Sequence, residues 1–191
     1  MTTTATTQPG KGGFDGFPHL LEGTHWIDHM RDGTPVLIRP LRPDDREREE
    51  EFIRRLSPTA RRYRFLGDFR QASPALIDQL MKVELPRQMA FVALLHDNGK
   101  LREIGVSRFA ATTDEKQCEC AVTVADDWQH RGLGVLLMRH LIRTARENGY
   151  KRMFSVDDAS NQPMRELAEF LGFRRELSPD DPARVMHILE L

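Results

Sequence analysis

The residues whose types and spacing could do chemistry run from Asp126 to Val135, Asp-Asp-Trp-Gln-His-Arg-Gly-Leu-Gly-Val, and lead into the apolar stretch Leu136–Ile142. They follow an alternating segment, Cys118–Val124, so a strand empties through a two-glycine turn into a helix amino terminus. First-turn N–H groups have no intrahelical acceptors, and the helix dipole adds positive potential there. Gly132 and Gly134 carry no side chains, so an anion could approach the backbone, and Arg131 adds a cation at the rim. The chemistry implied is the holding of a phosphorylated ligand. A dinucleotide fingerprint lacks its last glycine here, because Leu136 and Leu137 follow, and no Gly-x-x-x-x-Gly-Lys loop exists. On this stretch alone an ordinary turn before a buried helix fits equally well.

Other chemistry-bearing groups read as structural. Cys118 and Cys120 lie two apart on one strand, point to one face, and are poorly placed for a mutual disulfide. Two thiols are too few for zinc, and they are expected to be small core residues. His25 and His29 have helical i, i+4 spacing, which suggests a surface turn of helix more than a metal site; no metal is expected. The basic cluster Arg54, Arg55, Arg61, Arg62 and Arg64 could attract an acidic acceptor or a phosphate, but a solvated helical face with local glutamates is the preferred reading.

Composition bounds the class. The 191 residues are 39% hydrophobic and 30% charged, which suits one globular domain with a tail. A net charge of −1 makes no case for nucleic acid or a membrane surface, and no apolar run approaches a bilayer-spanning length. The amino terminus lacks the charged and apolar regions of a secretion signal, so a cytoplasmic location is expected.

The elements that must position the turn follow from pattern. Residues 1–17 are Thr- and Gly-rich and are expected to be disordered, 18–33 form an extension, and 34–191 form the domain. Strands are expected over 35–39, 89–95, 103–110, 117–125, 152–156 and 184–191, with a hairpin turn at His96–Lys100. Helices are expected over 42–56, from Ser57-Pro58, from Ser73-Pro74, over 131–148 with Gly149 as its stop, and over 163–171. In helix 131–148 the apolar positions 134, 137, 138, 141 and 145 share one face. The class is α+β around a mixed, largely antiparallel sheet.

Gln129-x-x-Gly132-x-Gly134 resembles the pyrophosphate motif of the Gcn5-related N-acetyltransferases (GNAT), which holds the diphosphate of acetyl-CoA. Asn161-Gln162-Pro163-Met164 followed by Leu171-Gly172-Phe173 is similar to that family's closing segment, and Val36–Asp45 to its opening strand and helix start. The resemblance implies a splayed sheet of about seven strands flanked by four or so helices, with acetyl-CoA as co-substrate. It implies that Val122, Thr123 and Val124 offer backbone groups to the pantetheine arm, and that His130, Arg131, Gly132, Leu133, Gly134 and Val135 hold the pyrophosphate. Asn161 matches a residue that contacts the pantetheine side in many relatives, although an N-cap would explain it equally.

Moving acetyl to an amine needs the neutral amine, whereas a lysine amine has a pKa of about 10.4. Glu119 is the candidate base: it shares a strand face with Ala121, Thr123 and Ala125, and its place resembles that of the family's catalytic glutamate. A backbone N–H near it would stabilise the oxyanion. Many relatives carry a helix tyrosine that protonates the leaving thiolate; here that position is Ala168, and Tyr63 and Tyr150 lie elsewhere in the sequence. The run Arg39–Asp45, with Arg54–Pro58 and Arg64-Phe65, resembles bacterial protein lysine acetyltransferases, relatives of which modify acyl-CoA synthetases. A cyclic-nucleotide module, fused in some of them, is not expected. The resulting expectation is an acetyl-CoA-dependent transfer to a protein lysine, with room for a homodimer. The alternatives are a small-amine acetyltransferase, for a polyamine, amino acid or aminoglycoside, and a non-catalytic acyl-CoA sensor.

Overall fold

The computed structural model describes residues 23–66, 72–114, 116–177 and 181–191. The expected disorder of residues 1–17 therefore lies outside the described residues. Among the described residues eight strands form one sheet: β1 (Trp26–His29), β2 (Pro35–Pro40), β3 (Gln88–Asp97), β4 (Lys100–Ala111), β5 (Gln117–Val124), β6 (Arg152–Asp158), β7 (Arg174–Leu177) and β8 (Arg184–Glu190). Five α-helices accompany them among the same residues: α1 (Arg46–Arg55), α2 (Pro58–Phe65), α3 (Pro74–Leu80), α4 (Leu133–Glu147) and α5 (Gln162–Phe170). The spatial order is β1-β2-β3-β4-β5-β6-β8-β7. Every pair is antiparallel except β5–β6. The architecture is the expected mixed, largely antiparallel α+β sheet, with eight strands where about seven were expected and one helix more than four.

The two strands not anticipated have separate reasons. Around His25–His29 the histidine spacing suggested a turn of helix, but the chain is extended as β1 against β2. Trp26 and Asp28 turn inward while Ile27 and His29 face out, so period two rules this stretch. At about 3.3 Å per residue, His25 and His29 stand roughly 13 Å apart, too far to share one metal; no metal-binding cluster exists among the described residues. β7 is exposed at all four positions and carries no apolar alternation to announce it.

The caps do what their residue types dictate. Ser57 and Ser73 accept from the N–H groups of Ala60 and Leu76 at 3.1 and 3.2 Å, each ahead of a proline in the first turn. The β3–β4 turn puts Asn98 and Gly99 at φ 49° and 80°, the left-handed pair that a two-residue hairpin requires. Helix α4 buries Leu137, Met138, Leu141 and Ala145 completely, and Gly149 ends it at φ 84°. Gly105 on β4 admits α4 closely: a Cβ there would lie 3.0 Å from a Leu137 methyl and 3.2 Å from the Thr123 carbonyl. Both cysteines are buried and unbridged. Burial pushes the Cys118 thiol up to about 12 and Cys120 well up too, so neither is a ready nucleophile.

The Arg39–Asp45 run hides a clamp. Asp45, fully buried, accepts from Arg39 at 2.5 and 2.7 Å, from Arg48 at 2.6 Å and from the Arg42 N–H at 2.9 Å. Burial works to raise this carboxyl, but the bonds from Arg39, Arg42 and Arg48 hold it below its ordinary value. The clamp fixes the passage from β2 into α1. No helix is long and apolar enough to cross a membrane among the described residues.

Candidate functional site

Strands β5 and β6 pair only where Gln117–Glu119 meet Arg152–Phe154. Beyond that point both strands continue, to Val124 and Asp158, without pairing to each other. Along Cys120–Val124, β5 is therefore paired to β4 on one edge and open on the other. Glu119 stands at the last rung before the fork, opposite Ala110 on β4 and Phe154 on β6. Unpaired backbone N–H and C=O groups on an open edge invite an extended ligand to add itself as a strand.

A cavity of about 700 Å³ opens at this fork. Its walls include Glu119, Val122, Thr123, Val124, Gln129, His130, Gly132, Leu133, Gly134, Val135 and Asn161. The structure thus brings together every site residue expected from the sequence except Arg131. That side chain turns aside: it pairs with Asp32 at 3.2 Å and stacks over the Trp128 ring at 4.6 Å.

The cradle half is shaped by the glycine turn. His130 and Gly132 adopt φ 60° and 87°, and Gly132 is the N-cap of α4. Its carbonyl accepts from Val135 and Leu136, which leaves the N–H groups of Leu133 and Gly134 in the unsatisfied first turn. Gly134 sits where a Cβ would come 3.2 Å from a Leu167 methyl of α5 and 3.9 Å from Val124, so α4 and α5 close on this point. Gln129 anchors the turn by donating to the Val124 carbonyl at 3.4 Å. Asn161 caps α5 through the Met164 N–H at 3.2 Å while lining the cavity. A strand edge with free backbone groups and an anion cradle at its end fit the pantetheine arm and diphosphate of acetyl-CoA.

The other wall comes from α2, which sequence reasoning did not place here. Asp126, just after β5, accepts from the Ser57 N–H at 2.9 Å and hydroxyl at 2.6 Å. This clasp pins the start of α2 to the loop that follows β5, and Ser57, Tyr63 and Arg64 line the cavity. Tyr63 donates to the Ser160 carbonyl at 3.3 Å, so one of the two tyrosines does reach this cavity. Arg64 departs from the solvated-face reading of the basic cluster. Burial, reinforced by the charge of Arg108, pulls its guanidinium down to about 10, while Glu49 and Glu119 act the other way. It remains charged at neutral pH beside Glu119. Arg55 follows the expected pattern, pairing with the local Glu51 at 3.7 Å, whereas Arg62 reaches the sequence-distant Asp158 of β6 at 2.9 Å. Hydrogen bonds from Ser160, then from Arg62, bring Asp158 down to about 2. Ala168, where many relatives carry a tyrosine, is buried.

Comparison with known proteins agrees with this geometry. Residues 48–173 match the model of the Acetyltransferase (GNAT) family. An acetyltransferase of Pseudomonas aeruginosa is 57% identical over 90% of this chain and 92% of its own length. The acetyltransferase Pat of Mycolicibacterium smegmatis is 30% identical over 75% of this chain, which spans 42% of that longer protein. Among solved structures, the GNAT domain of the Streptomyces lividans protein PAT superposes with a TM-score of 0.80, at 22% identity, over 92% of this chain and 99% of that one.

Proposed function

The chain belongs to the GNAT acetyltransferase family, and we propose that it transfers acetyl from acetyl-CoA directly to the side-chain amine of a protein lysine, in the cytoplasm, through a domain that takes in residues 34–191 together with strand β1 of the preceding extension. The observation that carries this reading is the fork itself. One cavity holds an open strand edge, a glycine cradle at a helix amino terminus, and Glu119 at the last rung between them.

In this reading Leu133 and Gly134 present N–H groups to the diphosphate, with His130, Gly132 and Val135 shaping the turn and Gln129 fixing it. Arg131, held by Asp32 and Trp128, braces the loop. The open edge at Val122–Val124 receives the pantetheine arm, and Asn161 contacts its far side. The acceptor amine enters from the α2 wall. Glu119 takes its proton, directly or through a water, as the nitrogen attacks the thioester carbonyl, and a β5 backbone N–H stabilises the oxyanion. Collapse of the tetrahedral intermediate forms the amide and expels the CoA thiolate. A thiol pKa of about 8.5 lets it leave without an obligatory acid at position 168. No covalent enzyme intermediate is required.

Support for a protein acceptor comes from Arg64. Its charge beside Glu119 breaks up the all-acid cleft that a polyamine would prefer. The resemblance of Arg39–Asp45, Arg54–Pro58 and Arg64-Phe65 to bacterial protein lysine acetyltransferases points the same way. The test is label transfer from acetyl-labelled acetyl-CoA into a desalted bacterial lysate, with and without its small molecules restored. Label in protein bands is the expected outcome. Label confined to the small-molecule fraction would replace this reading with small-amine acetylation.

A further inference from the structure

The glycine cradle has a cation that its own motif does not supply. The β1–β2 hairpin carries Arg31 at its tip, and Arg31 lines the cavity beside Gly132. Three contacts fix the hairpin there. Asp28 meets the His140 ring of α4 at 2.6 Å, Trp26 stacks on the same ring with centroids 4.2 Å apart, and the Arg31 N–H donates to the Arg131 carbonyl at 3.0 Å. The Arg31 stem lies across Gly132 so closely that a Cβ on that glycine would come 3.1 Å from its Cγ and 3.5 Å from its Nε. This is a second reason for glycine at 132, besides its φ of 87°.

The two arginines of this corner have divided the work. Arg131, the cation within the motif, is committed to Asp32 and to the Trp128 face. Arg31 makes no hydrogen bond or ion pair with its guanidinium among the described residues, and its side chain is exposed at the cavity mouth. A planar guanidinium is suited to phosphate oxygens, and the neighbouring α4 amino terminus favours the same sign of ligand.

We propose that Arg31, from the amino-terminal hairpin, binds a phosphate of the ADP half of acetyl-CoA, so that the cofactor site extends beyond the glycine turn onto β1–β2. The inference rests on the acetyl-CoA reading of the cavity. It assigns a binding role to an exposed hairpin tip that lies outside the segment matched to the family. Asp32 has the opposite sense: it neutralises Arg131 and sets a carboxylate beside the phosphate path, while also accepting from the Thr34 N–H at 3.0 Å to shape the turn.

Calorimetric titration of the full chain with CoA, 3′-dephospho-CoA and pantetheine tests this. Arg31→Ala is expected to weaken CoA about tenfold and to leave pantetheine, which has no phosphate, unchanged. Arg31→Lys should recover part of the loss, and the gap between wild type and Arg31→Ala should shrink in high salt. If dephospho-CoA shows the same loss, the contact is to the diphosphate; if it shows none, the contact is to the 3′-phosphate. Asp32→Asn keeps the turn acceptor but removes the charge, and should tighten CoA. Equal CoA affinity for wild type and Arg31→Ala would overturn the inference, as would equal weakening of CoA and pantetheine or weakening by Asp32→Asn, each of which marks a hairpin that only supports the fold. Failure of the wild-type chain to bind CoA would instead overturn the acetyl-CoA reading itself.

Discussion

With Glu119 as the proposed base, its replacement by Gln isolates the proton-transfer step. The backbone of Glu119 is held in two ladders, by Ala110 and Phe154, and its exposed side chain makes no hydrogen bond among the described residues. An isosteric amide there should leave the fold within about 0.5 kcal/mol of wild type. What changes is the supply of neutral amine. With an amine pKa of about 10.4, only about one lysine in a thousand is neutral at pH 7.4. A positioned base removes that handicap and contributes about 10²–10⁴ in rate, or about 2.7–5.4 kcal/mol of barrier. Because Glu119 stands at the mouth of the fork rather than in the cradle, acetyl-CoA affinity should not follow. The expected variant therefore loses about 10²–10³ in kcat/KM at pH 7.4. Its rate should climb about tenfold per pH unit toward the amine pKa, while the wild-type profile is flatter. The assay is release of free thiol across pH 6.5–9.5 with an acceptor identified by label transfer, beside calorimetry with acetyl-CoA. A variant as fast as wild type at pH 7.4 would refute the reasoning. So would a uniform loss with parallel pH profiles, which marks a distorted site instead of a missing base.

Three further outcomes follow from the packing and the buried charges. Gly134→Glu puts a carboxylate at the first turn of α4, with its Cβ 3.2 Å from Leu167; acetyl-CoA binding should be lost by calorimetry while circular dichroism keeps the native spectrum, and retained binding would remove the cradle assignment. Gly105→Ala forces a methyl to 3.0 Å from Leu137, 3.2 Å from the Thr123 carbonyl and 3.3 Å from Leu133. Overpacking of this kind costs about 1–3 kcal/mol, so Tm should fall by about 2–12 °C in a chain of this size, and an unchanged melting curve would contradict the close approach of α4. Glu103 is buried, both its carboxyl oxygens lack a hydrogen bond, and burial and then the nearby Glu49 push its carboxyl well above 4.5. The native state thus keeps a proton that the unfolded chain releases, so this group's stabilising effect is present below pH 4.5 and is lost as pH rises toward its folded value. Glu103→Gln should be more stable than wild type at pH 8 by about 1–3 kcal/mol, with the gap closing toward pH 4; a gap that widens on acidification would reverse the assignment.

The sequence by itself determined the parts that depend on neighbours along the chain. Short apolar runs marked β2 to β4, alternation marked β5, serine–proline pairs set the starts of α2 and α3, and the α4 stripe with Gly149 set that helix and its end. These are period and capping effects, satisfied within a few residues. The glycine turn after β5 was legible for the same reason, as was the burial of Cys118 and Cys120. His25–His29 misled because i, i+4 spacing is a helical signal only when nothing else competes; here pairing with β2 and the stacking of Trp26 on His140 decide in favour of a strand.

Only the tertiary structure decided what meets what. Ser57 and Asp126 are 69 residues apart, and their hydrogen bonds swing α2 into the cavity wall. Arg64, one of five basic residues of similar appearance, is half-buried and lines the same cavity as Glu119. Arg39 and Asp45 look like separate surface charges until the β2–α1 passage buries them together. The fork between β5 and β6 has no local sequence mark, since it arises where two strands that share three rungs cease to pair. Arg31 and Arg131, 100 positions apart, meet at the cradle because the hairpin is bonded to the glycine turn and to α4. Contacts of that separation are set by burial and pairing summed over the whole sheet, and no local pattern encodes them.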